Sequence, residues 1–122
     1  MKKLSILSCA LILCATIVSC RFHNNVSITY NENGHYYKMK ASFSRSKTAA
    51  VERYMDDMLA SENMSFRHTR IDGEIALDDH STFYIKKRAG YLYIKLDKDK
   101  NSDEAYFKVR SMCEGIKIVL GQ

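Results

Sequence analysis

The chain has 122 residues, with 19 Lys and Arg against 14 Asp and Glu, a net charge of +5 and four cysteines. That length holds one domain with a modest core. The cationic excess is too mild to mark a nucleic-acid binder, and the lack of Pro-rich, Gly/Ser-rich or repeated tracts excludes a linker-jointed or solenoid architecture.

Lys2 and Lys3 precede Leu4–Val18, 15 residues without a charge. A bilayer-spanning helix needs about 20 apolar residues. A core helix would carry a polar face, and this run has none. Arg21, Asn24 and Asn25 follow at once, the pattern of a secretory signal. The run closes on Ile17-Val18-Ser19-Cys20. Placed after a positive n-region and an apolar h-region, this tetrapeptide resembles the lipobox of bacterial lipoproteins, and the resemblance covers about the first 21 residues. It implies loss of the signal peptide 1–19, a thioether-linked diacylglycerol on Cys20, and acylation of the new amine by a palmitate-like chain. Two or more chains anchor stably where one does not. Arg21, in place of Asp, resembles the sorting pattern of outer-membrane lipoproteins in Gram-negative bacteria. The expected location is therefore the cell envelope, with the membrane as first partner through Cys20.

Removing Lys2 and Lys3 leaves 17 Lys and Arg against 14 Asp and Glu, a net charge of +3. Residues 20–25 become the tether. Arg21 to Asn25 reaches at most about 17 Å. Residues 26–122 form the domain. Cys9 and Cys14 leave with the signal and Cys20 carries lipid. Cys113 is then alone, and a lone cysteine on an apolar helix stripe is expected as a small buried hydrophobe.

Val26, Ile28 and Tyr30 alternate with polar residues, Asn33-Gly34 signals a hairpin, and Tyr37, Met39, Ala41 and Phe43 continue the alternation. A two-residue turn at Asn33-Gly34 pairs Tyr30 with Tyr37, Ile28 with Met39 and Val26 with Ala41. A helix is expected over 46–60, capped by Ser44 or Ser46. Its apolar stripe is Val51, Tyr54, Met55, Met58 and Leu59, and its wet face is Glu52, Arg53, Asp56 and Asp57. Thr69 to Leu77 reads as one strand with Gly73 as a bend or bulge. A hairpin at Asp72-Gly73 is rejected because it would set Ile75 against Arg70. Thr82–Arg88 and Tyr91–Leu96 read as strands joined by Ala89-Gly90. That turn pairs Phe83 with Leu96, Ile85 with Ile94 and Lys87 with Leu92 on one face. It pairs Tyr84 with Lys95, Lys86 with Tyr93 and Arg88 with Tyr91 on the other. Asn101 caps a last helix with the stripe Ala105, Val109, Met112, Cys113, Ile116, Val119 and Leu120, ended by Gly121. The order ββαβββα predicts an α+β fold, a single antiparallel sheet with two helices packed on one face.

Asp78-Asp79-His80 could offer metal ligands, but consecutive turn residues seldom converge on one ion and no second ligand pair follows. Asp97, Asp99 and Asn101 imitate the start of a calcium loop, which then fails at Ser102 and Lys108. His23, His35 and His68 are scattered. No phosphate loop, Cys-x-x-Cys or His-Glu-x-x-His occurs. No catalytic residue, metal or cofactor is expected. The candidate ligand face is Tyr84, Lys86, Arg88, Tyr91, Tyr93 and Lys95, extended by Tyr36, Lys38 and Lys40 if the sheet order allows. Interleaved rings and cations suit an interface with an anionic partner. The mature domain resembles the small bacterial lipoproteins, a class defined by its anchor. The expected role is a non-enzymatic binding or scaffolding module of the envelope that meets a protein or an anionic polymer. An inhibitor or immunity protein against an envelope-targeting toxin is the next reading, and a small envelope enzyme the third.

Overall fold

A computed structural model describes residues 25–59, 65–67, 69–77 and 79–121. The lipobox and the signal run lie outside them, as do His23, His68 and Asp78. The strands are β1 Ser27–Glu32, β2 Tyr36–Ser42, β3 Ile71–Ala76, β4 Thr82–Arg88 and β5 Tyr91–Asp97, and the helices are α1 Thr48–Met58 and α2 Asp103–Val119. All neighbours pair antiparallel in one sheet of order β1-β2-β5-β4-β3. The α+β architecture expected from the pattern is the one adopted.

Strand parity decides the two sides. Tyr37, Met39 and Ala41 of β2, Phe83 and Ile85 of β4, and Leu92, Ile94 and Leu96 of β5 are buried on the inner face. Val51 and Met55 of α1 and Val109, Met112, Cys113 and Ile116 of α2 join them in one core. Both helices therefore cover the same side of the sheet.

The β4–β5 hairpin has the register read from its residues, with Ile85 opposite Ile94 and Lys86 opposite Tyr93. Gly90 turns it with φ +76°, and a Cβ there would come within 2.8 Å of the Phe43 carbonyl oxygen. Only glycine meets both demands at no steric cost. The first hairpin is offset by two residues from expectation: Tyr30 faces Met39, Ile28 faces Ala41 and Glu32 faces Tyr37. Asn33 is not a central turn residue. Its side-chain oxygen accepts from the amides of His35 and Tyr36, each at 2.8 Å, and its own amide donates to the Tyr36 carbonyl at 3.0 Å. That is an Asx turn, which moves the reversal to Gly34-His35. A slip of two preserves parity, so the same side chains still face the helices.

Four local expectations are corrected. Neither Ser44 nor Ser46 caps α1; their hydroxyls bond each other at 2.9 Å, and a short 3-10 turn over Arg45–Lys47 leads into the helix. Gly73 makes no bulge, because β3 pairs one-for-one with β4 through it. Ser102, not Asn101, caps α2 by accepting from the Ala105 amide at 3.1 Å. Asn101 instead acts as an extra strand rung: it accepts from the Thr82 amide and donates to the Thr82 and Asp97 carbonyls, all within 2.9 Å. Finally, the buried face of α1 is rotated. Successive residues advance about 100° around a helix, and burial runs from Val51 through Met55 to Glu52, while Met58 on the other flank is 40% exposed. Glu52, expected on the wet face, is 5% exposed and bonded to Lys87 of β4, itself 3% exposed.

Cys113 is fully buried, and burial pushes its thiol up to about 12. The thiolate is the nucleophile that attacks thiol reagents, so native Cys113 should label far more slowly than unfolded protein. Cys113→Ala removes one sulfur and should cost about 1 kcal/mol, the low end of cavity costs, by chemical denaturation. Fast native labelling would refute the burial.

Candidate functional site

The outer face of the sheet is built from the residues that parity sends away from the helices. β4 contributes Tyr84, Lys86 and Arg88, and β5 contributes Tyr91, Tyr93 and Lys95. The sheet order puts β2 directly beside β5, so Lys38 lies opposite Lys95 and Lys40 opposite Tyr93. The extension through Tyr36, Lys38 and Lys40 is therefore contiguous with the hairpin. The tyrosines on this face are half-buried among neighbouring side chains, and both described helices lie on the other side of the sheet.

Their arrangement is specific. Tyr84 and Tyr93 meet edge to face, with centroids 5.9 Å apart and planes at 67°. The Lys95 ammonium sits 4.3 Å from the centroid of Tyr36, with Lys38 on the same ring at 5.6 Å. The Arg88 guanidinium lies 4.6 Å from the Tyr91 centroid. Such contacts favour cations over ring faces and keep long side chains extended across the surface. A shallow cleft of about 430 Å³ opens here, lined among others by Tyr36, Tyr84, Tyr93 and Lys95.

Three acids complete the face and were not foreseen as part of it: Asp72 and Glu74 of β3, and Asp97 at the end of β5, which lies opposite Tyr36 and lines the cleft. β3 flanks β4 and sets Asp72 opposite Lys86 and Glu74 opposite Tyr84. The Tyr84 hydroxyl donates to Asp72, and that carboxylate raises the Tyr84 hydroxyl above its usual range. Alternation along β3 showed both acids on one face, but only strand adjacency brings them to the tyrosines. The surface thus carries rings and cations along β2, β5 and β4, with carboxylates on the β3 edge and, in Asp97, at the end of β5.

The other sequence candidates remain apart. Among the described residues no three His, Cys, Asp or Glu side chains come together as a metal set. Asp79 accepts from the Ser81 amide and hydroxyl and, at 3.2 Å, from Lys108. The Ser81 hydrogen bonds hold its carboxyl down at about 2. His35 pairs with Asp99 at 2.9 Å in an exposed contact. Asp97 accepts from the Asp99 amide at 2.9 Å, so this calcium-like stretch closes its own turn.

Fold and face together define a class: a small α+β domain with one sheet face covered by helices and the other presenting rings and cations. The chain matches no family model, no curated protein and no solved structure.

Proposed function

We propose that this protein is a lipid-anchored, non-enzymatic binding module of the bacterial cell envelope. Its ligand docks on the outer face of the β4–β5 hairpin and neighbouring β2. The anchor rests on the lipobox at Ile17-Val18-Ser19-Cys20. The docking face rests on one observation above all: Tyr36, Tyr84, Tyr91 and Tyr93 form a ring-and-cation surface with a cleft in it, on the side of the sheet opposite the helices. Tyrosines supply rigid contact area at small entropic cost, and lysines and arginines draw an anionic partner. An acidic protein surface or an anionic envelope polymer meets that demand.

Two measurements test this reading. Mass spectrometry of the envelope protein should show loss of residues 1–19 and a lipid-sized increment on Cys20, and Cys20→Ala should leave an unprocessed precursor. An intact, unlipidated N-terminus would remove the anchor. The Tyr91→Ser/Tyr93→Ser variant should then lower partner recovery from solubilised envelope by at least about tenfold, as loss of aromatic anchors does. Its stability loss should stay below about 2 kcal/mol, from strand propensity and ring contact. Unchanged recovery by the folded variant would remove the docking face.

A further inference from the structure

The two ends of the sheet differ in charge, and the basic end is the one to which the tether joins. β1 begins at Ser27, which pairs with Ser42, which pairs with Tyr91, which pairs with Arg88. Continuing the β3–β4 register by one residue sets Arg70 opposite Arg88. Arg45 reaches the same end, because its side chain lies against the Gly90 turn. Arg45, Arg70 and Arg88 line a cleft of about 380 Å³ at this end. One acid lines it, Glu52, and Lys87 holds that carboxylate. Among the described residues, no carboxylate lies within ion-pair distance of Arg45, Lys47, Arg70 or Arg88.

α2 runs along the same axis. The Tyr106 hydroxyl donates to Glu32 at 2.5 Å, and the Cys113 carbonyl accepts from Tyr30 at 3.3 Å. The helix therefore runs from the Glu32 end of β1 toward its Ser27 end. Its last turn carries Lys117 and Ile118, the latter 77% exposed, and Lys117 lies beside Tyr30 and Glu114. The opposite end carries six acids, Glu32, Asp79, Asp97, Asp99, Asp103 and Glu104, against Lys98, Lys100 and Lys108, of which Lys98 pairs with Glu32 and Lys108 with Asp79, and so keeps an acidic excess.

We infer that the arginine end is a membrane-facing surface whose Arg45, Arg70 and Arg88 engage the phosphates of anionic phospholipid headgroups, so that the domain stands on the bilayer with its acidic end outward. The inference rests on the lipid anchor proposed above. A tether of five residues spans at most about 17 Å, so it holds the domain near the surface once Cys20 is inserted but leaves its tilt free, and the arginines set that tilt. Guanidinium groups pair phosphates bidentately, and the attraction of basic residues to an anionic leaflet falls off within a Debye length. The same orientation sets the strands upright and leaves Tyr36, Tyr84 and Tyr93 accessible from the side, with Arg88 and Tyr91 at the membrane end of that face.

The test uses the full mature lipoprotein in vesicles of phosphatidylglycerol and phosphatidylcholine, with quencher-labelled headgroups. A fluorophore is placed by Ala89→Cys at the arginine end or by Gly34→Cys in the opposite turn. Both positions are surface-accessible, and Gly34 has open space around it. Position 89 should be quenched several-fold more than position 34. Three arginines should bias the orientation by about a hundredfold. The Arg45→Gln/Arg70→Gln/Arg88→Gln variant should lose most of that contrast, as should vesicles of phosphatidylcholine alone. Equal quenching at both positions, or a contrast untouched by both changes, would overturn the inference. Should the triple variant fail to fold, raised salt on the wild type carries the same test, since screening must weaken the contrast. A mass spectrum of the same sample separates the two readings: without lipid on Cys20 the anchor fails, and with lipid but no contrast the orientation alone fails.

Discussion

Glu52→Ala should destabilise the domain by about 3–5 kcal/mol, the range for removing one partner of a buried ion pair. The alanine leaves the Lys87 ammonium, 3% exposed, without the carboxylate that now bonds it. Lys87→Ala should cost a comparable amount for the converse reason. The double change Glu52→Leu/Lys87→Met fills the same space with apolar groups and should lie within about 1 kcal/mol of the wild type, or above it, because both desolvation penalties go. Adding Glu52→Ala/Lys87→Ala closes a double-mutant cycle with the two single alanines, and chemical denaturation then yields the coupling. If either single change costs less than about 1 kcal/mol, water reaches the pair and its burial is wrong.

The same pair explains part of what the sequence did and did not reveal. Lys87 stood in the inward set with Phe83 and Ile85 by parity alone, and a lysine on a core face needs an acid. That signal was readable. Glu52 was harder, since it lies beside Val51 at the edge of an apolar stripe, and periodicity does not say how far the buried face extends around the helix. The pair also opposes slippage. Moving β4 by one residue would turn Lys87 outward and bring Lys86 and Arg88 under the helices, with one buried acid to meet them.

The β4–β5 hairpin was legible because its two cross-strand sets agree from either strand: Ile85 meets Ile94 as surely as Lys86 meets Tyr93. The first hairpin was legible only to parity. Asn33 can act as a central turn residue or as the side-chain acceptor that precedes the turn. Both keep Tyr30, Ile28, Tyr37 and Met39 on one face, and only the hydrogen bonds to His35 and Tyr36 distinguish them. The tyrosine face followed from alternation, whereas its extension to Tyr36 and its flank at Asp72 and Glu74 depend on which strands are neighbours. β3 and β4 follow each other in the chain, but the β2–β5 pairing is a long-range contact, and periodicity carries no information on either adjacency. Asn101 shows the same limit: its residue type suits a cap, but the Thr82 backbone is a better partner and lies elsewhere in the chain.

Gly115→Ala should destabilise by about 1–3 kcal/mol, the usual cost of overpacking, although alanine is the better helix former by about 1 kcal/mol. α1 and α2 touch at this glycine. A Cβ at Gly115 would stand 1.7 Å from the Tyr54 hydroxyl oxygen and 2.5 Å from the carbon that bears it. The Tyr54 ring is partly buried, which raises its hydroxyl above the usual range. To admit a methyl group, either the ring must leave its rotamer or the helices must part, and parting loosens Val51 and Met55 against Met112 and Ile116 in the shared core. Tyr54→Leu removes both clashing atoms while keeping an apolar side chain at the crossing. In that background Gly115→Ala should become neutral or stabilising by up to about 1 kcal/mol, since helix propensity then acts alone. The decisive quantity is the difference between the alanine effect with Tyr54 and with leucine. If Gly115→Ala stabilises the protein with Tyr54 in place, the ring swings out freely and the glycine does not set the approach of the two helices.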